Sequence, residues 1–290
     1  MDLNTLQAFV EVADQGSFSA AADSLYLTQP AVSKRVAQLE SELNVALFDR
    51  IGRKITPTEA GRALIPKARR LLNDARDLKQ VLADLSGDVG GTLVMGTSHH
   101  IGLHRLPGPL KEFTQNFPDV ELDIRFMDSE EACHAVELGD LELAIVTLPP
   151  KPMNNLRLES IWHDPLNFMV GLDHPLCNQG SSHLDSLLEY PAVLPGHSTY
   201  TRGILERAVT TAGRSLKVAM ASNYLETLRM LVAAGLGWSL LPASVLDESI
   251  VPIEVEELSG LSRELGVVTH EKRSLSNAGK AMIEVCKTQS

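Results

Sequence analysis

Cysteine is scarce: Cys133, Cys177 and Cys286 are the three thiols in 290 residues. The number is odd and no C-x-x-C pair occurs, so neither a disulfide framework nor a zinc ribbon is expected, and free thiols in a reducing compartment are the simplest reading. Long apolar runs are missing as well. No stretch approaches the ~18 apolar residues that would span a bilayer, and the first residues are neither basic nor followed by the apolar core of a secretory signal. These absences place the chain in the cytoplasm. Catalytic signatures are equally hard to find. There is no G-x-G-x-x-G, no P-loop lysine motif and no His-Glu-x-x-His, and the stretch from Gly196 to Tyr200 lacks the second glycine of a nucleophile elbow. The chain is not expected to be an enzyme or to carry a cofactor. His100 and His104 stand at i, i+4, a spacing two zinc ligands can use, but no third ligand is evident in the sequence, and no metal site is expected.

What is present is unevenly distributed. The formal net charge is -11, with 44% apolar residues, enough for a sizeable core. Residues 29–70 nevertheless carry nine Lys and Arg against four acids, a net +5, whereas residues 91–290 carry 15 cations against 25 acids, a net -10. A basic segment on an acidic body is the footprint of a nucleic-acid-binding end.

The basic segment has a pattern. Leu3, Leu6, Phe9, Val10 and Ala13 predict a first amphipathic helix. Ser17 is an N-cap candidate, with Phe18, Ala21, Ala22 and Leu25 following at helical spacing. The pattern breaks at Tyr26-Leu27. Thr28 caps a further helix with Pro30 in its first turn, where a missing N–H does no harm. In that helix Val32, Val36, Leu39 and Leu43 line one side, and Gln29, Ser33, Lys34 and Gln38 the other. A helix that is apolar inward and polar outward, set after a tight turn, is the plan of a DNA recognition helix. Gln reads adenine bidentately, Ser contacts bases or phosphate, and Lys neutralises phosphate or reads guanine. Two extended runs around Ile51-Gly52, with Arg50, Arg53 and Lys54, predict a basic β-hairpin wing.

Over residues 1 to about 62, the stretches Phe9 to Ala13, Gly16 to Ala22, Thr28 to Ser33, Leu39-Glu40, Leu47 to Arg50 and Thr56 to Gly61 resemble the N-terminal domain of LysR-type transcriptional regulators. The resemblance implies that Thr28, Gln29, Pro30, Ser33 and Lys34 face the major groove, with Arg35 nearby, Ser17 beside the motif, and Arg50 and Arg53 on the wing. Family members often have Arg where this chain has Lys34, which keeps the charge but loses the bidentate fork.

Thr56-Pro57-Thr58-Glu59 reads as a capping box opening a long helix. Along it Leu64, Ala68, Leu71, Ala75, Leu78, Leu82 and Leu85 alternate spacings of four and three, a seam that asks for a partner helix. In the resembled family this linker pairs two subunits. Three glycines within residues 86–91 make a hinge.

From Thr92 short strands alternate with helices: strands at 93–97, 120–126 and 141–146, a helix from the His99 region through Phe113 and another over 129–138. A second unit begins at 166–171 and continues through strands at 191–194, 218–220 and 237–242 and helices at 202–212 and 224–234. The strand 265–269 and the last helix return to the first unit. This rhythm predicts a mostly parallel sheet with helices on both faces.

The expected fold is therefore α/β, with an all-α winged helix-turn-helix N-terminal domain (1–58), a linker dimerisation helix and hinge (59–91), and an effector-binding domain (92–290). The last is expected as two Rossmann-like, periplasmic-binding-protein-like subdomains, 92–161 with 266–290 and 162–265, forming an effector cleft. Candidate cleft residues are Ser98, His99 and His100 in the first strand-to-helix turn, Thr147 at a strand end, Thr199, Thr201 and Arg202 in the loop before a helix, and Asn223 by the family pattern. Hydroxyls and an imidazole near a helix start suit a small carboxylate. His100 stands where family members often have Ser or Thr; it points to a larger or more acidic effector or to pH-dependent binding, or else serves only as a capping residue. Arg202 either clamps a carboxylate or pairs with surface acids. The expected partners are double-stranded DNA with an interrupted dyad, a small carboxylate effector, a second copy or a tetramer of the chain, and RNA polymerase. Two other readings stay open: a redox- or metal-triggered regulator with an empty cleft, and a ligand-binding carrier protein.

Overall fold

A computed structural model describes residues 2–51, 54–84, 89–179 and 181–289; side chains at 50, 51, 54, 76, 77 and 79–84 are not described. The chain forms two compact units, Met1–Asp88 with Leu138–Asp140 and Val89–Glu137 with Leu141–Ser290.

In the first unit, helix α1 (Leu3–Gln15) starts at Asp2, whose carboxylate accepts the Thr5 N–H at 2.8 Å, and stops at Gly16 with φ 59°. It buries Leu6, Ala8, Phe9 and Val12. Leu3, expected on this face, is in the first turn and exposed. Helix α2 (Phe18–Ser24) is capped by Ser17, whose hydroxyl accepts the Ala20 N–H. Helix α3 (Gln29–Leu43) buries Val32, Val36 and Leu39, while Leu43, the last helical residue before the left-handed Asn44, is exposed. Strands β1 (Phe48–Ile51) and β2 (Lys54–Pro57) pair antiparallel from Phe48↔Pro57 to Ile51↔Lys54. The Glu40 carboxylate accepts the N–H groups of Leu47 and Phe48, at 2.7 and 3.3 Å, tying α3 to the start of the hairpin. The Phe48 ring packs 5.3 Å from Phe9 and 6.0 Å from Phe18.

Helix α4 (Glu59–Asp84) is capped by Thr58 rather than by the Thr56–Glu59 box: Pro57 is taken up by β2, and the Thr58 hydroxyl accepts the Gly61 N–H at 3.0 Å. A Cβ on Gly61 would stand 2.2 Å from the Leu47 carbonyl oxygen, so only glycine lets α4 lie this close to the hairpin. Ala68 is buried in the core of this unit, and Leu64 and Leu72 pack against it. Leu71 and Leu78 are 45% and 68% exposed. The hairpin tip Gly52-Arg53, Leu85 and the hinge residues 86–88 lie outside the described residues, as does the Leu82 side chain.

The second unit opens with β3 (Gly91–Thr97), α5 (His99–His104), α6 (Pro107–Asn116), β4 (Val120–Phe126), α7 (Ser129–Leu138) and β5 (Leu143–Thr147). The single helix expected from His99 to Phe113 is two, because Pro107 starts a new one. Then follow β6 (Leu156–Gly171), β7 (Ser181–Ser182), α8 (Leu184–Leu188), β8 (Ala192–Leu194), α9 (Tyr200–Thr211), β9 (Val218–Ala221), α10 (Leu225–Ala233) and β10 (Ser239–Pro242). A 3-10 turn (Ala243–Val245), β11 (Ile250–Val255), β12 (Ser262–His270) and α11 (Asn277–Thr288) complete it.

The large sheet runs β4-β3-β5-β12-β6-β11-β7, with β10 also on β6. It is mixed rather than mostly parallel: β3 is parallel to β4 and β5, but β12 is antiparallel to β5 and β6, and β6 to β10 and β11. The reason is β6, a 16-residue strand whose first half was not expected from the sequence. Its Trp162 belongs to one core, with Met95, Ile145 and Val267; its Phe168 belongs to the other, with Leu194, Trp238 and Leu240. Two halves with separate cores are thus joined by continuous strands, and the expected subdomain limits at 161/162 and 265/266 fall inside β6 and β12.

Candidate functional site

The two halves bring helix starts together. The pocket between them is lined by Ser98, His99 and His100 at the start of α5, by Asp128, Ser129 and Glu130 at the start of α7, and by Thr199, Tyr200 and Thr201 at the start of α9. Asn223 and Leu225 add the start of α10, Thr147 the end of β5, and Pro195 and Arg263 complete the wall. Convergence of strand ends and helix starts follows from the β-α-β order, since each strand hands over to its helix at the same edge of the sheet. Helix starts present unpaired N–H groups and positive dipole ends, which favour an anion.

Arg263 is the cation of this pocket. It is buried; its Nε donates to Asp164 Oδ2 at 2.8 Å and its Nη1 to Thr201 Oγ1 at 3.1 Å. Its Nη2 is buried and has no hydrogen-bond partner among the described residues. Asp164, also buried, accepts a further bond from Arg105 Nη2 at 3.2 Å. One carboxylate therefore serves two guanidiniums, and Asp128 and Glu130 bring two further carboxyl groups to the pocket wall. Burial pulls the Arg263 pKa down and Asp164 opposes it, but a guanidinium stays protonated in proteins.

Other groups are already engaged. Asn223 donates to Asp128 Oδ2 at 2.6 Å and accepts the Gly196 N–H at 2.9 Å. Glu130 accepts the Tyr200 N–H at the start of α9, and burial raises its pKa. Thr199 caps α9 by accepting the Arg202 N–H and donates to the Gly196 carbonyl. The Thr147 N–H donates to Ser129 Oγ at 3.2 Å.

Two expectations change. Arg202 does not line this pocket: it is buried, donates from Nε to Glu206 at 2.7 Å, and so pairs with an acid on its own helix. His100 is not poised to titrate near neutrality. Burial, with Arg263 next in effect, pushes its pKa down to about 3, so the imidazole is neutral at physiological pH. Its Nε2 lies 3.2 Å from the Ser244 hydroxyl and its Nδ1 has no partner among the described residues. Two of the three thiols are made poor nucleophiles by the same physics: burial pushes Cys133 up to about 11 and Cys286 up to about 12.

In the first unit, Gln29, Pro30 and Lys34 are exposed on α3, Ser33 and Arg35 are half-buried, and exposed Thr28 makes no capping bond through its side chain. The Ser17 hydroxyl is spent on its cap. The Arg50 side chain and Arg53 lie outside the described residues. Tyr26, in the turn before α3 with φ 53°, is 96% exposed.

Residues 3–62 match the family model for bacterial regulatory helix-turn-helix proteins of the lysR family, and residues 86–290 match the LysR substrate binding domain. The chain belongs to the LysR family. Among its relatives, a probable RuBisCO transcriptional regulator of Cyanidioschyzon merolae is 30% identical over 287 residues, covering 95% of this chain and 94% of that one. An uncharacterized HTH-type regulator of Azotobacter vinelandii is 60% identical over 107 residues, 37% of this chain and 74% of that one. The fold is also that of an OxyR variant from Pseudomonas aeruginosa, at 22% identity and TM-score 0.76 over 100% of this chain and 96% of that one. Full-length CbnR, solved in complex with its target DNA, has TM-score 0.68 at 21% identity over 100% of both chains.

This LysR protein is thus a transcriptional regulator with a helix-turn-helix DNA-binding domain and a substrate-binding domain. Among the described residues, no helix is long and apolar enough to cross a membrane. Sequence reasoning about the LysR cleft missed Arg263, Asp128, Ser129, Glu130 and Tyr200. The helix starts Asp128–Glu130 and Tyr200 were open to the logic that found Ser98 and Thr199. Arg263 was not: it sits on a strand 62 positions from Thr201, its Nη1 partner, and nothing local marks it.

Proposed function

We propose that this LysR regulator senses a small carboxylate in the cleft and converts its binding into altered contact with an interrupted dyad operator. The observation that carries the effector class is the buried guanidinium of Arg263, with an Nη2 that has no partner among the described residues and a second arginine sharing its partner Asp164. A buried unpaired donor costs about 1–3 kcal/mol, and an incoming carboxylate that accepts from Nη2 would remove that cost. Thr201, Thr147 and Ser98 supply further polar groups of the wall. Because α5 and α7 belong to one half and α9 and α10 to the other, a ligand touching both favours one arrangement of the halves over another.

On the DNA side, Gln29, Ser33 and Lys34 read bases and phosphate from α3, with Thr28, Pro30 and Arg35 beside them and Arg50 and Arg53 on the wing. Ser17 fixes the entry to α2. Two copies joined along α4 present two such helices to the two half-sites. The output is DNA binding without catalysis, in the cytoplasm.

A thermal-shift screen of the full chain against carboxylic acids, each beside its primary amide, tests the effector class. A ligand at a hundred times its Kd stabilises the state it binds by ~2.7 kcal/mol. Shifts with acids and not with their amides are expected. Shifts confined to amides, amines or oxidants would overturn the reading.

A redox trigger through Cys133 or Cys286 is disfavoured by a specific observation. Cys133 and Cys286 are buried, with pKa values well above that of a free thiol, whereas redox sensing needs an accessible thiolate.

A further inference from the structure

The histidine pair that stood without a third ligand in the sequence acquires one in the fold. His100 and His104 lie one turn apart on α5, their ring centroids 4.8 Å from each other. Glu226, in the first turn of α10, brings its carboxylate to 3.0 Å from His104 Nε2. One nitrogen from each imidazole and one oxygen of Glu226 all lie within 4.8 Å of one another.

We propose that His100, His104 and Glu226 form a site for a first-row divalent cation of the zinc type, which ties α5 of one half of the effector domain to α10 of the other. Two imidazoles and one carboxylate are a ligand set that zinc accepts with its fourth position open to water or to a small ligand, with metal–donor distances of about 2.0–2.2 Å. Donors of a tetrahedral site at those distances stand about 3.3–3.6 Å apart. The His104–Glu226 edge is already that short, so the movement required is a shift of about an ångström along the edges to His100. Both His104 and Glu226 are about one-third exposed, which gives an ion a way in, while His100 is buried and anchors the site from beneath. Imidazole nitrogen selects zinc, copper or nickel over magnesium and calcium, which prefer all-oxygen shells.

The consequence follows from where the ligands come from. A cation held by α5 and α10 stabilises the arrangement in which those helices meet, at the edge of the cleft, with which it shares His100. Metal and effector are then two inputs acting on one equilibrium between the halves, each favouring the arrangement it binds best. The proposal does not depend on the effector being a carboxylate.

The test uses the full-length protein and zinc itself, with binding measured by competition against a chromophoric chelator and by thermal shift. Wild type is expected to bind one tight equivalent per chain and to gain thermal stability. His104→Ala and Glu226→Gln change partly exposed side chains and should keep the wild-type circular dichroism spectrum while weakening binding on the order of a hundredfold. His183→Ala, which removes an exposed histidine beside Glu256 and Glu257, should leave the tight equivalent unchanged. Absence of tight binding in wild type, or its persistence in both His104→Ala and Glu226→Gln, would overturn the proposal. So would its loss in His183→Ala.

Discussion

Arg263 and Thr201 meet at the wall of the cleft, the guanidinium Nη1 donating to the threonine hydroxyl at 3.1 Å. The bond joins β12 to the first turn of α9, and it holds the arginine so that Nε faces Asp164 while Nη2 has no partner among the described residues. An arginine fixed at two of its nitrogens presents the third at a set position, which lowers the ordering cost of binding an anion.

Replacing Thr201 by Val keeps the shape and removes the acceptor. A second buried N–H of Arg263 would then lack a partner, and the variant should lose about 1–3 kcal/mol of stability. Chemical denaturation of the two proteins side by side measures this. An unchanged midpoint would mean that the guanidinium is not held by Thr201.

His100 makes stability depend on acid. Its imidazole faces Arg263, Arg105, His104 and Glu226, and its pKa is lowered from 6.5 to about 3. The unfolded chain takes up a proton at this site below pH 6.5 and the folded chain does not until near pH 3. Stability contributed here is therefore fully present above 6.5 and lost as pH falls towards 3, by at most ~5 kcal/mol across that window. His100→Gln should flatten the decline between those limits. If both proteins lose stability in parallel from pH 7 to 4, another group is responsible.

On α3, Gln29→Ala and Ser33→Ala should reduce discrimination between the selected operator and scrambled DNA by about 1–3 kcal/mol per lost base contact. Lys34→Ala should instead weaken both DNAs alike and lower the salt slope by about 0.9 per half-site. Fluorescence anisotropy across a salt series separates the two effects. Undiminished discrimination in the Gln29 and Ser33 variants would remove α3 as the reading helix.

Leu71 and Leu78 lie seven residues apart on α4 and are exposed in the single chain. As one seam of a paired helix they bury on association, each contributing about 1.5–3 kcal/mol. Leu78→Glu should raise the dimer dissociation constant at least tenfold in analytical ultracentrifugation, and Leu71→Glu likewise. Dimers of unchanged affinity would place the interface elsewhere.

How much was legible depended on how local the cause was. The recognition helix was readable because Val32, Val36 and Leu39 repeat at helical spacing and Pro30 marks its first turn, and β4 and α7 match their expected limits residue for residue. The α4 cap was misplaced by two residues because Thr56-Pro57 has a competing use in the hairpin. Helix α5 stops short because Pro107 starts another. The first nine residues of β6 include Glu159, His163 and Asp164, polar residues whose partners are distant in the chain: Lys287 on α11, Glu264 on β12, and Arg105 with Arg263. The site divided along the same line. Ser98, His99, His100, Thr147, Thr199 and Thr201 share a pocket that strand-end logic could anticipate, and Asn223 joins them there by the family pattern, whereas Arg263 and Glu226 reach their places through contacts 62 and 122 positions distant in the chain.

The effector reading turns on one side chain, and isothermal titration of wild type and Arg263→Lys with the same carboxylic acid tests it most directly. Lysine keeps the charge opposite Asp164 but cannot bond Asp164 and Thr201 and still hold a third N–H in place for the ligand, so the account predicts binding at least tenfold weaker in the variant, with the matched amide binding neither protein. Equal affinity of both proteins for the acid, or equal affinity of the wild type for acid and amide, would contradict it.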